Sequence, residues 1–262
     1  MKHNSVLLKY NVSNEIDAFS TMRNGAGISK GVYGQMNINP YCGDNEQNVL
    51  TNKAILSELL EIPTNKIILP HQTHSTQCKI ISADFFALNE KLRRDYLDNT
   101  DALITQMPQV CIGISTADCV PILLYNYTQK IVAAIHAGWR GTANHIVRKT
   151  IDLMQSLFSC NPQDLKAIIG PSISQNAFEV GQEVYDNFQL NNFDMPSIAK
   201  KIKDKWHIDL WEANRIEMIR KNIPSENIVV TSICTYSNYN NFFSARQLTI
   251  KSGRIYTGII IK

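Results

Sequence analysis

No stretch of this chain stays apolar long enough to span a membrane, which takes about 20 such residues. The N-terminal MKHNSVLLKYNVSNE is interrupted too soon to act as a secretory leader. No C-x-x-C pair occurs among the six cysteines (Cys42, Cys78, Cys111, Cys119, Cys160 and Cys234), and their spacing makes no regular framework. A disulfide scaffold is thereby set aside, and reduced, mostly buried thiols of a cytoplasmic protein are expected. Charge is also sparse: charged residues are 19% of the chain and the formal net charge is only +3, so no basic stripe marks a nucleic-acid partner. The one local cluster, Lys200, Lys201, Lys203 and Lys205 beside Trp206, reads as a solvated loop or helix face. Repeats and low-complexity segments are missing too, which excludes solenoids and disordered linkers.

What is present fits one domain over residues 1–262, near the size at which single cores stop growing. Residues 23–48 are rich in Gly and Asn and read as a long structured loop, a feature that in compact domains tends to carry function. An apolar stripe predicts a helix from about Asn48 to Glu61. Short apolar runs then predict strands at Lys66–Leu69, Cys78–Ile81, Ala102–Ile104, Val110–Ser115, Val120–Tyr125 and Ile131–Ile135. Later strands are expected at Lys166–Ile169, Ile228–Ser232 and Arg254–Ile261, and helices at Thr142–Phe158, Gly181–Phe188 and Leu210–Lys221. Strands often follow strands without strict helix alternation, which favours α+β with mixed sheets over a doubly wound parallel sheet.

The stretch 112–142 carries the chemistry. Two apolar runs flank a polar turn near Tyr127 and Thr128, the pattern of a β-hairpin. Paired residue numbers then add to a constant close to 255, which sets Cys119 opposite His136 at the open end. Opposed Cβ atoms lie about 4.5–5.5 Å apart, a spacing that suits a thiolate and an imidazole sharing a metal, or a Cys–His nucleophile pair. A Cys or His at a strand end is also a common packing residue. Beyond His136, Gly138 and Gly141 allow close backbone approach, and Thr142 offers an N-cap for the next helix, whose N-terminus would favour an anion. A third ligand has a local source in His71-Gln72-Thr73-His74-Ser75. That segment looks extended or turned, so one of its two histidines, not both, would face the site.

The motifs STMRNGAGIS, NINPYCGDN, HQTHS, TADCVPILL, HAGWRGT, IGPSIS, FEVGQEV and CTYSNYNNFFSAR together resemble the YfiH-like family, in order and over nearly the whole chain. Its members have been called laccase-domain or polyphenol-oxidase-like proteins, peptidoglycan editing factors and purine nucleoside phosphorylases. The resemblance implies mixed sheets in a sandwich covered by helices, in α/β/β/α layers. It also implies one zinc ion held by His74, Cys119 and His136, with His71 outside the ligand set. Purine nucleosides and phosphate are the implied substrates, with phosphorolysis of inosine, guanosine, adenosine or methylthioadenosine and deamination of adenosine. Arg246, Arg140 and Asn37 are candidate substrate contacts, together with Arg23 from the same long loop as Asn37, although Arg140 reads equally as a brace for its Gly-rich turn. The family often has two consecutive arginines in its last motif; here they read Arg246-Gln247, so a two-arginine anion clamp is not expected.

Three protein ligands leave zinc an open position, the mark of a catalytic site. Asp118 is the carboxylate nearest in sequence, but a regular strand would point it away from the face of Cys119, so it is expected to orient backbone. The expected state is a monomer or homodimer. Two other readings compete. A cysteine hydrolase, with Cys119 as nucleophile and His136 as base, would act on an amide such as a peptidoglycan precursor, and it leaves His74 without a role. A copper polyphenol oxidase needs several metal centres and many histidines, whereas this chain has six and no His-x-His pair.

Overall fold

The strands Val120–Asn126 and Ile131–Ala137 are buried at every position, on both faces, which a strand achieves only between two other layers. The computed structural model describes residues 6–262; the first five, which begin the segment weighed as a leader and include His3, lie outside it. In chain order the chain forms β1 (Leu7–Lys9), β2 (Ile16–Thr21), α1 (Glu46–Leu60), β3 (Ile67–Ile68) and β4 (Cys78–Ile80). Next come α2 (Ala83–Ala87), α3 (Glu90–Leu97), β5 (Ala102–Thr105), β6 (Cys111–Thr116), β7 (Val120–Asn126) and β8 (Ile131–Ala137). The second half contributes α4 (Trp139–Ala143), α5 (Ile146–Phe158), β9 (Leu165–Ile169), β10 (Glu179–Val180), α6 (Gln182–Leu190) and α7 (Met195–Ile198). It ends with β11 (Ala199–Ile202), β12 (Lys205–Ile208), α8 (Leu210–Arg220), β13 (Ile228–Val230) and β14 (Ile255–Ile261).

These strands make a mixed five-stranded sheet in the order β1-β2-β14-β6-β3 and a mixed six-stranded sheet in the order β13-β9-β7-β8-β5-β4. The period-2 alternation along each strand sorts its side chains to two cores. Leu123, Tyr125, Val132 and Ala134 of one sheet meet Ile112, Ile114 and Ile259 of the other in the central core. The intervening residues Ile122, Leu124, Ala133 and Ile135 face outward onto Ile146, Val147 and Ile151 of α5, with Val184 of α6 and Met218 of α8. On the far side, Phe19, Cys111, Tyr256 and Ile260 pack under Leu56 of α1. The layers are therefore helix, sheet, sheet, helix, the arrangement that the family resemblance implies.

The structure differs from the sequence reading at several elements. The helix expected from Thr142 is broken in two: α4 starts at Trp139 with Gly138 as its N-cap, and His145 takes a left-handed φ of 59° before α5 begins. The break is held by His145 Nδ1, 2.6 Å from Oε2 of the buried Glu217. Thr142 caps nothing; it is buried, and its hydroxyl donates to the Ala137 carbonyl. The lysine cluster lies on a β-hairpin, β11–β12, and not on a loop or helix. Of the cysteines, Cys111 and Cys160 are fully buried while Cys42, Cys78, Cys119 and Cys234 are half-buried, and all six are free thiols.

The long segment before α1 has only one helical turn, Gly31–Tyr33, yet it is firmly tied. Asn52, buried within α1, donates from Nδ2 to Ser29 Oγ and to the carbonyls of Gln35 and Asn37, and accepts from the Ile28 amide. One helical amide thus replaces the ladder bonds that the loop lacks. No helix among the described residues is long and apolar enough to cross a membrane.

Candidate active site

Two chain segments cross from one sheet to the other at the same edge of the sandwich. Residues 69–77 run from β3 in the five-stranded sheet to β4 in the six-stranded one, and residues 117–119 run from β6 to β7. The first crossing carries His74 and the second carries Cys119; the end of β8 supplies His136. Their three candidate ligand atoms lie within 4.8 Å of one another. Cys119 Sγ is 3.8 Å from His74 Nε2, and the two imidazole rings meet edge to face with centroids 4.9 Å apart.

The hairpin register corrects one expectation. Val120 pairs with Ala137 and Pro121 with His136, two residues away from the register that set Cys119 opposite His136. The turn is a four-residue loop, closed by Asn126 paired with Ile131, and Asn126 Oδ1 accepts from the Gln129 amide. That loop moves the centre of the hairpin one residue later. A slip of two keeps every side chain on its face, so Cys119 and His136 are diagonal neighbours on one face. Gly138 now sits beside the sulfur: a Cβ there would lie 2.9 Å from His74 Cδ2 and 3.0 Å from Cys119 Sγ. Only glycine lets the three donors close up.

Asp101, which the sequence reading passed over, organises this cluster. It is fully buried at the start of β5. Its Oδ1 lies 2.7 Å from His136 Nδ1 and accepts from the His74 amide at 3.1 Å. Its Oδ2 accepts from the amides of Ser75 and Thr73 and from Ser75 Oγ. One carboxylate therefore orients the His136 ring, leaving Nε2 free, and also holds the loop in which His74 adopts a left-handed φ of 63°. Burial works against charge on Asp101, but the His136 ring and the Ser75 donors hold its carboxyl below the usual range.

Burial likewise opposes a charge on Cys119, yet His136 and His74 bring its thiol down to about 6. Burial opposes protonation of His136, but the Cys119 thiolate and Asp101 raise it to about 9. Without metal, the pair is thus thiolate and imidazolium between those two values. In metal-free protein, alkylation of Cys119 by iodoacetamide, followed on its own peptide by mass spectrometry, is expected to rise through a midpoint near pH 6. A midpoint near 9 would mean that the imidazoles do not support the thiolate.

Two imidazoles and a thiolate suit a borderline-soft ion such as zinc or copper better than magnesium or calcium. The orienting carboxylate and the ready thiolate fit such an ion as well. Among the described residues this is the one group of three or more such donors. The other described histidines are engaged elsewhere: His71 Nδ1 with Asp98, His145 with Glu217, and His207 Nδ1 with the Gln175 carbonyl.

The cluster forms one wall of a cleft of about 290 Å³, lined also by Asn39, Tyr41, Gln72, Thr116 and Arg254. Gln72 is pinned at both ends of its amide to the backbone of Ser115. A larger hollow of about 630 Å³, between β1–β2 and the end of α1, has no His or Cys in its lining. Of the residues put forward for substrate, none lines the cleft. Asn37 is fully buried, where Nδ2 donates to Asp44 and Oδ1 accepts from the amides of Asn39 and Arg254. Arg140 is exposed and lies over the Trp139 ring at 4.3 Å, as a brace would. Arg246 is exposed, with its guanidinium on the Glu179 carbonyl and its amide donating to Asp118 Oδ2. Arg23 donates to the carbonyls of Gly34 and Tyr239. Asp118 does orient its surroundings: Oδ1 accepts from Thr235, Oδ2 from Arg246, and its carbonyl from Ile173.

Residues 17–262 match the family model described as multi-copper polyphenol oxidoreductase laccase. The chain is 46% identical to a Bacteroides thetaiotaomicron protein named purine nucleoside phosphorylase, over 94% of this chain and 92% of that one. It is 37% identical to a protein named adenosine deaminase RL5, from an unknown prokaryotic organism, over 94% of each. Among solved structures, the hypothetical protein YfiH of Bacillus licheniformis superposes with a TM-score of 0.91 at 28% identity, covering 99% of this chain and 97% of that one.

Proposed function

The chain belongs to the family described as multi-copper polyphenol oxidoreductase laccase, and from that premise we propose that it is a zinc-dependent purine nucleoside phosphorylase with adenosine deaminase activity. The ligands in this reading are His74, Cys119 and His136. What carries it is the convergence of those three donors on one cleft wall, in a chain nearly half identical over its length to a protein named for phosphorolysis. One three-donor group among the described residues argues against multi-copper oxidation, which needs several centres. Held by His74, Cys119 and His136, zinc would supply Lewis acidity and make water more acidic.

The remaining roles fall to the chain's own residues. Asp101 keeps the His136 proton on Nδ1. Tyr41, exposed and packed against His71 with ring centroids 4.4 Å apart, offers a π-face at the mouth of the cleft for a flat purine. Phosphorolysis joins a phosphate oxygen to the ribose anomeric carbon and breaks the bond to the purine nitrogen, which leaves with the electron pair. The same reading makes residues 1–262 one cytoplasmic domain, monomeric or homodimeric, with neither nucleic acid nor membrane as a partner.

With inosine, zinc-loaded protein is expected to release hypoxanthine at a rate that rises with phosphate and saturates, while adenosine is consumed partly to inosine. Base release that ignores phosphate would reassign the enzyme as a nucleoside hydrolase. The Cys119 thiolate beside His136 favours one alternative, the cysteine amidase acting on peptidoglycan precursors. Turnover of such an amide with a covalent adduct on Cys119, and none of any purine nucleoside, would select it.

A further inference from the structure

On the phosphorylase reading phosphate is held in this cleft, and none of the arginines singled out in the sequence lines it. Arg246 points its guanidinium at the Glu179 carbonyl, and the helix start expected to cradle an anion at Thr142 does not exist. The cleft that holds His74, Cys119 and His136 continues past Tyr41, Cys42 and Ile250 into an outer hollow lined by Tyr33, Gly43 and Lys251. Arg254 lies on the seam and lines both parts. No carboxylate lines either.

Arg254 is half-buried, and no acidic side chain pairs with it among the described residues. Its NH1 donates to the carbonyls of Ser252 and Gly253, and its NH2 to the Ile250 carbonyl. Those bonds lock the planar fork to its own loop, and its amide is fixed from beneath by Asn37 Oδ1. The positive charge is thus positioned but not neutralised, which is how an anion site is kept ready. Thr116 lines the same cleft; it is 1% exposed, and its hydroxyl has no hydrogen-bond partner. A buried hydroxyl left unpaired is destabilising, a penalty that an arriving acceptor would remove.

Building on the phosphorylase reading, we infer that Arg254 binds the phosphate co-substrate in the cleft, with the Thr116 hydroxyl as a second donor and Asn37 as the residue that positions Arg254. Phosphate and the departing purine both carry negative charge, so a lining free of carboxylates spares the site their repulsion. The sequence residue Asn37 enters function by this indirect route.

The test compares wild type with Arg254→Gln and Arg254→Lys, all zinc-loaded. In Arg254→Gln the KM for phosphate in inosine phosphorolysis is expected to rise by at least ~10-fold. Arg254→Lys, which keeps the charge but not the fork, should show a smaller rise. Adenosine deamination, which uses no phosphate, should change several-fold less than phosphorolysis, and zinc content should hold. Inorganic phosphate alone should raise the melting temperature of wild type and not that of Arg254→Gln. An unchanged KM for phosphate in Arg254→Gln overturns the inference. So does a parallel loss of both reactions and of zinc in both variants, which would make Arg254 a loop brace. Should wild type release hypoxanthine without phosphate, the phosphorylase reading fails, and the melting shift decides Arg254 on its own: no stabilisation of wild type by phosphate rejects it.

Discussion

Cys119→Ala is expected to reduce bound zinc from about one ion per chain to nearly none, and to lower phosphorolysis and deamination on the order of a thousandfold or more. The size follows from the donor count. Three ligands leave no reserve, and the thiolate is the one anion among them. It is also the donor most ready to bind at neutral pH, because the two imidazoles hold its thiol at about 6. The fold should survive, since Cys119 lies on a short crossing between sheets and outside every strand. Circular dichroism and a melting curve near wild type would establish that. His71→Ala is the informative contrast. Its ring is tied to Asp98 and packed on Tyr41, so it should keep its zinc. Full zinc occupancy in Cys119→Ala, measured by elemental analysis, would remove the ligand assignment. Loss of zinc with full activity would remove the metal from the chemistry.

How much of this site could be read from the sequence depends on how local each contact is. The proximity of Cys119 and His136 was legible because a hairpin joins neighbours in sequence, and because an error of two residues keeps the face. The exact partner was not, since the polar turn gives no sign of whether Tyr127–Lys130 or a shorter piece forms the loop. His74 was chosen over His71 only through the family resemblance; spacing left both open. Its left-handed backbone and the pull of Asp101 become visible only when two distant segments meet. Asp101 directly precedes the apolar run of β5, and nothing local in the sequence marks it as part of the site. Its importance rests on β5 pairing with β8, where its carbonyl accepts from the His136 amide, a contact 35 residues apart. Arg254 was read as the first residue of a strand, which hid its side chain from a search for anion contacts. The mixed α+β class was legible from strands that follow strands without strict helix alternation, while the layers came only through the family resemblance; in the structure β7 and β8, buried at every position, have cover on both faces.

Asp101→Asn tests the link between fold and site, because this one residue serves both. Its carboxylate accepts five hydrogen bonds, from His136 Nδ1, the amides of Thr73, His74 and Ser75, and Ser75 Oγ. Asparagine has nearly the same shape but offers one acceptor oxygen, and its NH2 would face donors on the other side. The His136 ring then loses the partner that fixes its tautomer, and the loop bearing His74 loses its anchor. Zinc affinity is expected to fall about 10–100-fold, the usual effect of removing a carboxylate behind a ligating histidine. Stability should fall as well, by about 3–5 kcal/mol at neutral pH, as when one partner of a buried charged pair is removed. The sign of the pH dependence follows from the depressed carboxyl. A group held below its unfolded value contributes fully above that value and loses its contribution as pH falls through the folded one. The stability gap between wild type and Asp101→Asn should therefore be widest at neutral pH and narrow in acid. Chelator competition gives the affinity, and melting at pH 7 and in acid gives the gap. A variant that keeps wild-type zinc affinity while losing stability would reduce Asp101 to a fold residue. A gap that stays constant down to strong acid would mean that its charge is not what holds the loop.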